Sequence, residues 1–174
     1  MRLFIAIPLP TDVRRAVSAA QARLMESGAA GRFVPCENFH ITLHFIGNSD
    51  ALSDAVDAIR AAVRGIRPFV LRLGGYGGFG GERGRTACLS ITGDLDELNR
   101  LYETLESALW ERGFAKNRGR LTPHVTLGRN VTGDGAFDPG PQTAAFTVTS
   151  VVLYESRHDN GRMRYTAVHA EPLA

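Results

Sequence analysis

The 174-residue chain is 44% hydrophobic and 22% charged, with a formal net charge of +2. This is the composition of an ordinary globular protein, not of a disordered or collagen-like one. Near-balanced charge permits a nucleic-acid substrate but lacks the basic stripe of a general nucleic-acid binder. No apolar run approaches the roughly 20 residues of a membrane span. The length suits one domain, or two small lobes sharing a cleft, and can bury a core without disulfides or metals.

Residues 2–7 read as a first strand ended by Pro8 and Pro10. The apolar stretch is too short, and too soon followed by Asp12, Arg14 and Arg15, to read as a signal peptide. Thr11 is expected to cap a helix over 12–27, with Val13, Val17, Ala20 and Leu24 on its core stripe and Gly28 as its stop. A short strand over 32–34 precedes Pro35. A helix follows over about 51–65, with Leu52, Val56, Ile59 and Val63 inward, and then a strand over 69–73. The glycine-rich stretch 74–84 contains a G-x-G-x-x-G match. The dinucleotide fingerprint needs a helix directly after it, whereas the chain continues into a strand over 86–91. The stretch is therefore expected to be a flexible hairpin loop or a mobile flap, with Tyr76 or Phe79 stacking on a base.

A third helix covers about 95–112, with Leu95, Leu98, Leu101, Leu105 and Leu109 as its stripe, Trp110 as packing and Gly113 as its C-cap. The basic residues Lys116, Arg118 and Arg120 read either as a solvated run or as a substrate contact ahead of a strand over 121–128. After a loop over 130–142, two long strands, 144–154 and 162–170, are joined at Asn160-Gly161, a hairpin turn signal. Helices and strands in this order give an α+β fold of largely antiparallel sheet. Cys36 and Cys88 stand far apart with no C-x-x-C, which removes a zinc ribbon and a thioredoxin motif. Two free, mostly buried thiols in a reducing cytosol are expected, with a single disulfide left open.

One four-residue pattern occurs twice: His40-Ile41-Thr42-Leu43 and His124-Val125-Thr126-Leu127. Each copy sits in an alternating run, the period of a half-buried strand. Ile41, Leu43 and Phe45 are expected to face the core, and His40, Thr42 and His44 the other side; Val125 and Leu127 go in, His124 and Thr126 out. One such copy is often just a wet strand face. Two copies about half a chain apart suggest an internal duplication and a proton-transfer chemistry. An imidazole with a pKa near 6.5 can give or take a proton at neutral pH, and a threonine hydroxyl can donate to a phosphoryl oxygen. By strand parity Arg129, five residues after His124, falls on the opposite face unless the strand ends or twists at Gly128.

These residues, with Arg2-Leu3-Phe4-Ile5-Ala6-Ile7 at the start, Thr122-Pro123 before the second motif and Leu153-Tyr154-Glu155-Ser156 near the end, carry a resemblance over nearly the whole chain. The sequence resembles the two-histidine phosphoesterases, and within them the bacterial and archaeal RNA 2′,3′-cyclic phosphodiesterases, historically called 2′-5′ RNA ligases. The resemblance implies a single bilobal domain over residues 1–174. Two pseudo-symmetric lobes of antiparallel sheet, with helices packed outside, would hold the active-site cleft between them. It implies His40 and His124 as general acid and general base, Thr42 and Thr126 as phosphate ligands, and Arg129 as phosphate-directed. Beside what the resemblance implies, Phe79 is a candidate substrate contact as a stacking face, and His44, from its expected place on the face of His40, reads as a substrate-side contact or as merely solvated; Tyr154, which matches the closing strand of the family, is a further candidate contact. The first histidine is expected as acid and the second as base.

The implied reaction is metal-independent opening of RNA 2′,3′-cyclic phosphate ends to 2′-phosphomonoesters. Some members of the family also join or cleave 2′-5′ linkages reversibly without ATP. No cofactor or metal is expected. The expected substrates are RNA ends or small cyclic nucleotides; no membrane is involved, and nothing forces an oligomer, so a cytoplasmic monomer is expected. Two rival readings stay open: a non-catalytic module that grips RNA phosphate ends, and a zinc-dependent phosphodiesterase using His40, His44 and His124. The sequence departs from the family where Phe79 lacks a following proline and Cys88-Leu89-Ser90 stands in place of a tryptophan-bearing strand. That bears on base stacking more than on the chemistry.

Overall fold

The computed structural model describes residues 1–81 and 84–174. Along the chain, β1 (Arg2–Pro8) leads to α1 (Thr11–Glu26), then β2 (Ala30–Phe33), a 3-10 turn (Cys36–Asn38), β3 (His40–Asn48) and α2 (Leu52–Val63). The second half runs β4 (Phe69–Gly81), β5 (Gly84–Gly93), α3 (Leu95–Glu111), β6 (His124–Thr132), β7 (Ala145–Val148), β8 (Ser150–Asp159) and β9 (Arg162–Pro172). Two sheets result, ordered β3-β1-β8-β9 and β2-β6-β5-β4-β7. Every pairing in both is antiparallel.

The two sheets correspond strand for strand. In each, a motif strand (β3 or β6) pairs with the strand that precedes a helix (β1 before α1, β5 before α3), and two further strands follow. β2 is added outside β6. Strands β3 and β6 approach each other where the lobes meet, so both motifs lie along one cleft.

The helices form largely where their apolar spacing places them. In α1, Val13, Val17, Ala20 and Leu24 are buried, as expected. In α3 the buried set is Leu98, Leu101, Leu105 and Leu109, joined by Tyr102, Glu106 and Ala108. In α2 the stripe is rotated: Ala55, Ala58, Ile59, Ala62 and Val63 are buried, while Leu52 and Val56 pack only partly. The alanines let α2 approach α3, β8 and β9 closely. Thr11 does not cap α1. The N-cap is Pro10 without a side-chain hydrogen bond, and Thr11 is itself the first helical residue. Trp110 is 59% exposed, with Lys116 Nζ 5.3 Å from its ring centroid, so it is not packing. Cys88 is buried and Cys36 exposed, and both are free.

Three departures from the expected strands matter to the site. Residues 74–81 form no loop: β4 and β5 stay paired from Leu71–Gly93 out to Gly81–Gly84, so the glycine-rich stretch is an extended hairpin arm. Tyr76 is tied into this arm. Its hydroxyl donates to Asp134 Oδ2 at 2.6 Å and its ring meets Phe137 edge-on. Next, the strand expected over 144–154 is two strands. β7 pairs with β4 in one sheet and β8 with β1 in the other, so the chain changes lobe at Thr149. Finally, β6 runs over His124–Thr132, later than the 121–128 expected. The Asn160-Gly161 turn forms as its sequence predicts, with both residues at positive φ (49° and 78°).

Candidate active site

The polar faces of the motif strands are set by a pair of matching β-bulges. Across β1 and β3, Ala6 faces Thr42 but Ile5 faces His44, which leaves Leu43 as an extra residue. Across β5 and β6, Cys88 faces Thr126 but Ala87 faces Gly128, which leaves Leu127 as an extra residue. A bulge places two residues of one strand opposite one of its partner and resets the in-out alternation beyond it. Leu43 and His44 therefore both turn inward, and Phe45 turns out to 59% exposure. In the second copy, Leu127 and Gly128 are both buried and Arg129 is exposed.

This corrects the simple alternation in both motifs. Phe45 is a cleft residue, not a core one. His44 is not on the face of His40: it is 3% exposed, and its Nδ1–H donates to Glu106 Oε1 at 2.5 Å. Arg129, which parity alone turns away, returns to the side of His124. Gly128 occupies the place that His44 holds in the first copy. A Cβ there would lie 3.0 Å from Val131 Cγ2 and 3.1 Å from Phe33 Cδ1, so the second lobe has no room for a matching side chain.

The two histidines are held alike. His40 Nδ1–H donates to the carbonyl of Asn38, and His124 Nδ1–H to the carbonyl of Thr122, each at 2.7 Å and each two residues upstream. A carbonyl only accepts, so Nδ1 carries the proton and Nε2 is presented to the cleft. His40 Nε2 lies 2.8 Å from Thr42 Oγ1. The environment lowers the pKa of His40 below its ordinary 6.5. Burial is the main cause, opposed by the Asn38 carbonyl and reinforced by the positive fields of Arg129 and His124. Each histidine thus lies within the other's electrostatic reach.

Aromatic rings frame both dyads. Phe4 is 3% exposed and stands at the centre of four rings: His40 at 5.0 Å, Phe45 at 5.8 Å, Tyr154 at 5.2 Å and Tyr165 at 4.8 Å. Tyr165 also meets His40 edge-on at 5.4 Å. Phe79, at the end of the glycine-rich arm, lies 5.0 Å from His124 and is 44% exposed.

Two cavities open along the cleft and meet at Phe45. One, of about 340 Å³, is lined by Thr42, His124, Phe79, Phe45, Arg118 and Arg120, among others. The other, of about 420 Å³, is lined by Phe45, Arg129, Tyr165, Arg2 and Phe4, among others. The structure thus brings His40, Thr42, His124, Arg129 and Phe79 to one cleft, with Thr126 on the same strand face as His124. Tyr154 is stacked on Phe4 and half-buried, which makes it a support for that ring. Tyr165 and Phe4 escaped the sequence reading. The alternation of half-buried Met163 and Tyr165 with exposed Arg162 and Arg164 along β9 was the available signal for the former. Phe4 lay in a continuous apolar run whose two faces no local pattern separates.

The bulges turn His44 off the face of His40, so a three-histidine zinc set does not assemble. Among the described residues no three His, Cys, Asp or Glu side chains are placed to share an ion.

A two-lobed antiparallel fold with one histidine–threonine dyad per lobe, facing one cleft, is the architecture of the two-histidine phosphoesterases. The model of the 2′-5′ RNA ligase superfamily matches residues 9–160. The chain belongs to that superfamily. It is 30% identical over 165 residues to the RNA 2′,3′-cyclic phosphodiesterase of Escherichia coli K12, covering 95% of this chain and 92% of that one. It is 28% identical over 178 residues to the protein of the same name from Geobacillus stearothermophilus; the match covers 98% of this chain but spans only 56% of that longer protein. Among solved structures, a Thermus thermophilus protein superposes with a TM-score of 0.84 at 26% identity, covering 99% of this chain and 98% of the other. E. coli LigT complexed with 3′-AMP superposes with a TM-score of 0.82 at 29% identity, covering 99% and 97%.

Proposed function

We propose that this chain hydrolyses RNA 2′,3′-cyclic phosphate ends to 2′-phosphomonoesters, with His40 and His124 as the proton-transfer pair and no metal. The observation that carries the reading is the paired geometry. Two imidazoles, each with Nδ1–H locked on a carbonyl two residues upstream and Nε2 turned to the cleft, that of His40 bonded there to the Thr42 hydroxyl, can stand on opposite sides of a phosphorus atom. Water attacks from one side as its proton passes to a neutral imidazole, and the ribose 3′ oxygen leaves from the other as it receives a proton from an imidazolium. With substrate bound the Thr42 hydroxyl turns its proton from His40 Nε2 to a non-bridging oxygen, Thr126 donates to the other, and Arg129 stabilises the charge that builds on them. The 3′-AMP complex of E. coli LigT supports a site that takes a phosphorylated ribose end. Phe79 offers a stacking face to the terminal base. Among the described residues no helix is long and apolar enough to cross a membrane, and the free, exposed Cys36 suits a reducing compartment. We place the protein in the cytoplasm, acting as a monomer.

The roles divide by environment. A lowered pKa leaves His40 unprotonated at neutral pH, with the Thr42 hydroxyl donating to its Nε2, and an unprotonated nitrogen can only accept. His40 is therefore assigned as the base and His124 as the acid in hydrolysis, the reverse of the order expected from the sequence. A base must lose its proton to act, so kcat/KM, which reports the free protein, should rise with pH through a midpoint below 6.5. This limb should vanish in His40→Asn. A limb below 6.5 that instead falls as pH rises, and is removed by the same substitution, would make His40 the acid.

The reaction itself is tested with a short RNA bearing a 2′,3′-cyclic phosphate, incubated in EDTA, with the product mapped as 2′- or 3′-phosphate. The expected product is the 2′-phosphate. Turnover that appears only on adding zinc would establish a metal enzyme. Salt-dependent binding with no product under either condition would leave a phosphate-end binding module. Joining a 2′,3′-cyclic phosphate end to a 5′-hydroxyl without ATP uses the same proton transfers with that hydroxyl in place of water: it gives its proton to the base and bonds to phosphorus while the 3′ oxygen leaves with a proton, and the 2′-5′ linked product is measurable with the same protein.

A further inference from the structure

The buried pair His44–Glu106 takes no part in the chemistry proposed above. Glu106 is a carboxylate on the buried, leucine-rich face of α3, only 9% exposed. A buried carboxylate is costly unless its oxygens are satisfied, and both of these are. Oε1 accepts from His44 Nδ1 at 2.5 Å, and Oε2 accepts from the backbone N–H of Asn117 at 3.0 Å. Asn117 Nδ2 in turn donates to the carbonyl of Leu43 at 3.2 Å, and Leu43 is the extra residue of the β3 bulge.

One carboxylate thus ties three things together: helix α3, the bulge beside the first motif, and the middle of residues 112–123, which have no helix or strand of their own. That segment places Arg118 and Arg120 in the lining of the 340 Å³ cavity, which Phe79, Phe45, Thr42 and His124 also line. Both arginines are exposed and, among the described residues, neither has an acidic partner. Arginine interleaved with aromatic faces is the arrangement that tracks a single-stranded nucleic-acid backbone.

We infer that residues 117–120 form a second anion subsite, clamped in place by Glu106, that takes the phosphodiester one nucleotide upstream of the reacting phosphate. The inference rests on the proposed function for the placement of the terminal nucleotide. With that nucleoside against Phe79 and its cyclic phosphate at the dyads, the next phosphate reaches Arg118 and Arg120. Asn117, held at both its backbone and its side chain, fixes where those guanidiniums start from. Glu106, His44 and Asn117 are positioning residues in this scheme. The subsite makes a substrate of two or more nucleotides preferable to a mononucleoside cyclic phosphate, and it reads charge, not base.

The test compares two dinucleotides ending in a 2′,3′-cyclic phosphate. One has an ordinary phosphodiester between its nucleosides and the other an uncharged methylphosphonate. In the unaltered protein KM is expected to be about 10-fold lower for the charged dinucleotide, the size of one or two solvent-screened charge-assisted contacts. The gap should shrink with added salt. Arg118→Ala/Arg120→Ala should erase the ratio, through the KM of the charged substrate and not through kcat. Asn117→Ala, at an exposed position, should reduce it. Glu106→Ala should also reduce it, whereas Glu106→Gln, which keeps an acceptor for Asn117, should restore most of it. A merely structural role for Glu106 would instead lower kcat and raise both KM values in parallel.

Equal KM values for the two dinucleotides in the unaltered protein would overturn the subsite, as would a ratio that survives the double arginine substitution. If neither dinucleotide turned over, the proposed reaction would fail. The same ratio, read as Kd for the two dinucleotides by fluorescence anisotropy, would still decide the subsite.

Discussion

His40→Ala and His124→Ala are each expected to lower kcat/KM on an RNA 2′,3′-cyclic phosphate by roughly 10²–10⁴-fold, the usual worth of a positioned proton-transfer group, with EDTA present throughout. The two effects should not multiply. If one imidazole takes a proton while the other gives one in the same displacement, removing either leaves the other with little to do. The double variant should then sit close to the worse single variant, as groups that act as a unit do. A double variant whose loss equals the product of the two single losses would mean that the histidines act in separate steps. Full activity in either single variant would remove that residue from the chemistry. His124 is half-exposed and bonded through Nδ1 to Thr122, so its truncation should leave the melting temperature nearly unchanged. His40 packs on Phe4 and Tyr165, so part of its loss would be conformational. His40→Gln, which retains bulk, separates the two causes: it should recover the melting temperature and not the rate.

The features legible in the sequence were those that depend on neighbours along the chain. The alternation in 39–45 and 124–127 located both motif strands, the leucine spacing located α3, and Asn160-Gly161 located the last hairpin. The hidden features depend on partners far away. Nothing local to Leu43 or Leu127 marks either as a bulge residue. The extra residue exists because β3 must pair with β1, and β6 with β5, over the full length of each motif. Strict alternation therefore fails at His44, Phe45 and Arg129, one step past the residues it places correctly. The glycines of 74–81 read as loop because a glycine gains little from its own conformational preference in a strand; cross-strand bonds to β5 override that. The switch of lobe at Thr149 is invisible because β7 and β8 are both strands and differ only in which sheet they join. His44 and Glu106 are 62 residues apart and meet only once α3 lies against β3.

Phe4→Ala is expected to be the most damaging substitution outside the dyads, and its effect joins stability to catalysis. Phe4 lies in a central strand of the first lobe, paired to Phe45 on one side and Tyr154 on the other. At 3% exposure its ring is enclosed by those two residues, Tyr165 and His40. Truncating a buried phenylalanine typically costs about 3–5 kcal/mol, and each lost aromatic pair adds about 0.5–1.5 kcal/mol to what area alone would give. Against a typical total of about 5–15 kcal/mol this is a large share, and it should appear as a marked drop in urea midpoint at unchanged m-value. The cavity would open beneath His40. The imidazole keeps its bond to Asn38 but loses the face that fixes its tilt, so the fraction folded at low temperature should still show a reduced kcat with KM little changed. Phe4→Leu fills most of the space without a flat face. It should recover over half of the stability and less of the rate, which separates the packing role from the orienting one. If Phe4→Leu recovered both in proportion, the ring would be filling volume alone, and the orientation of His40 would rest on the Asn38 and Thr42 hydrogen bonds.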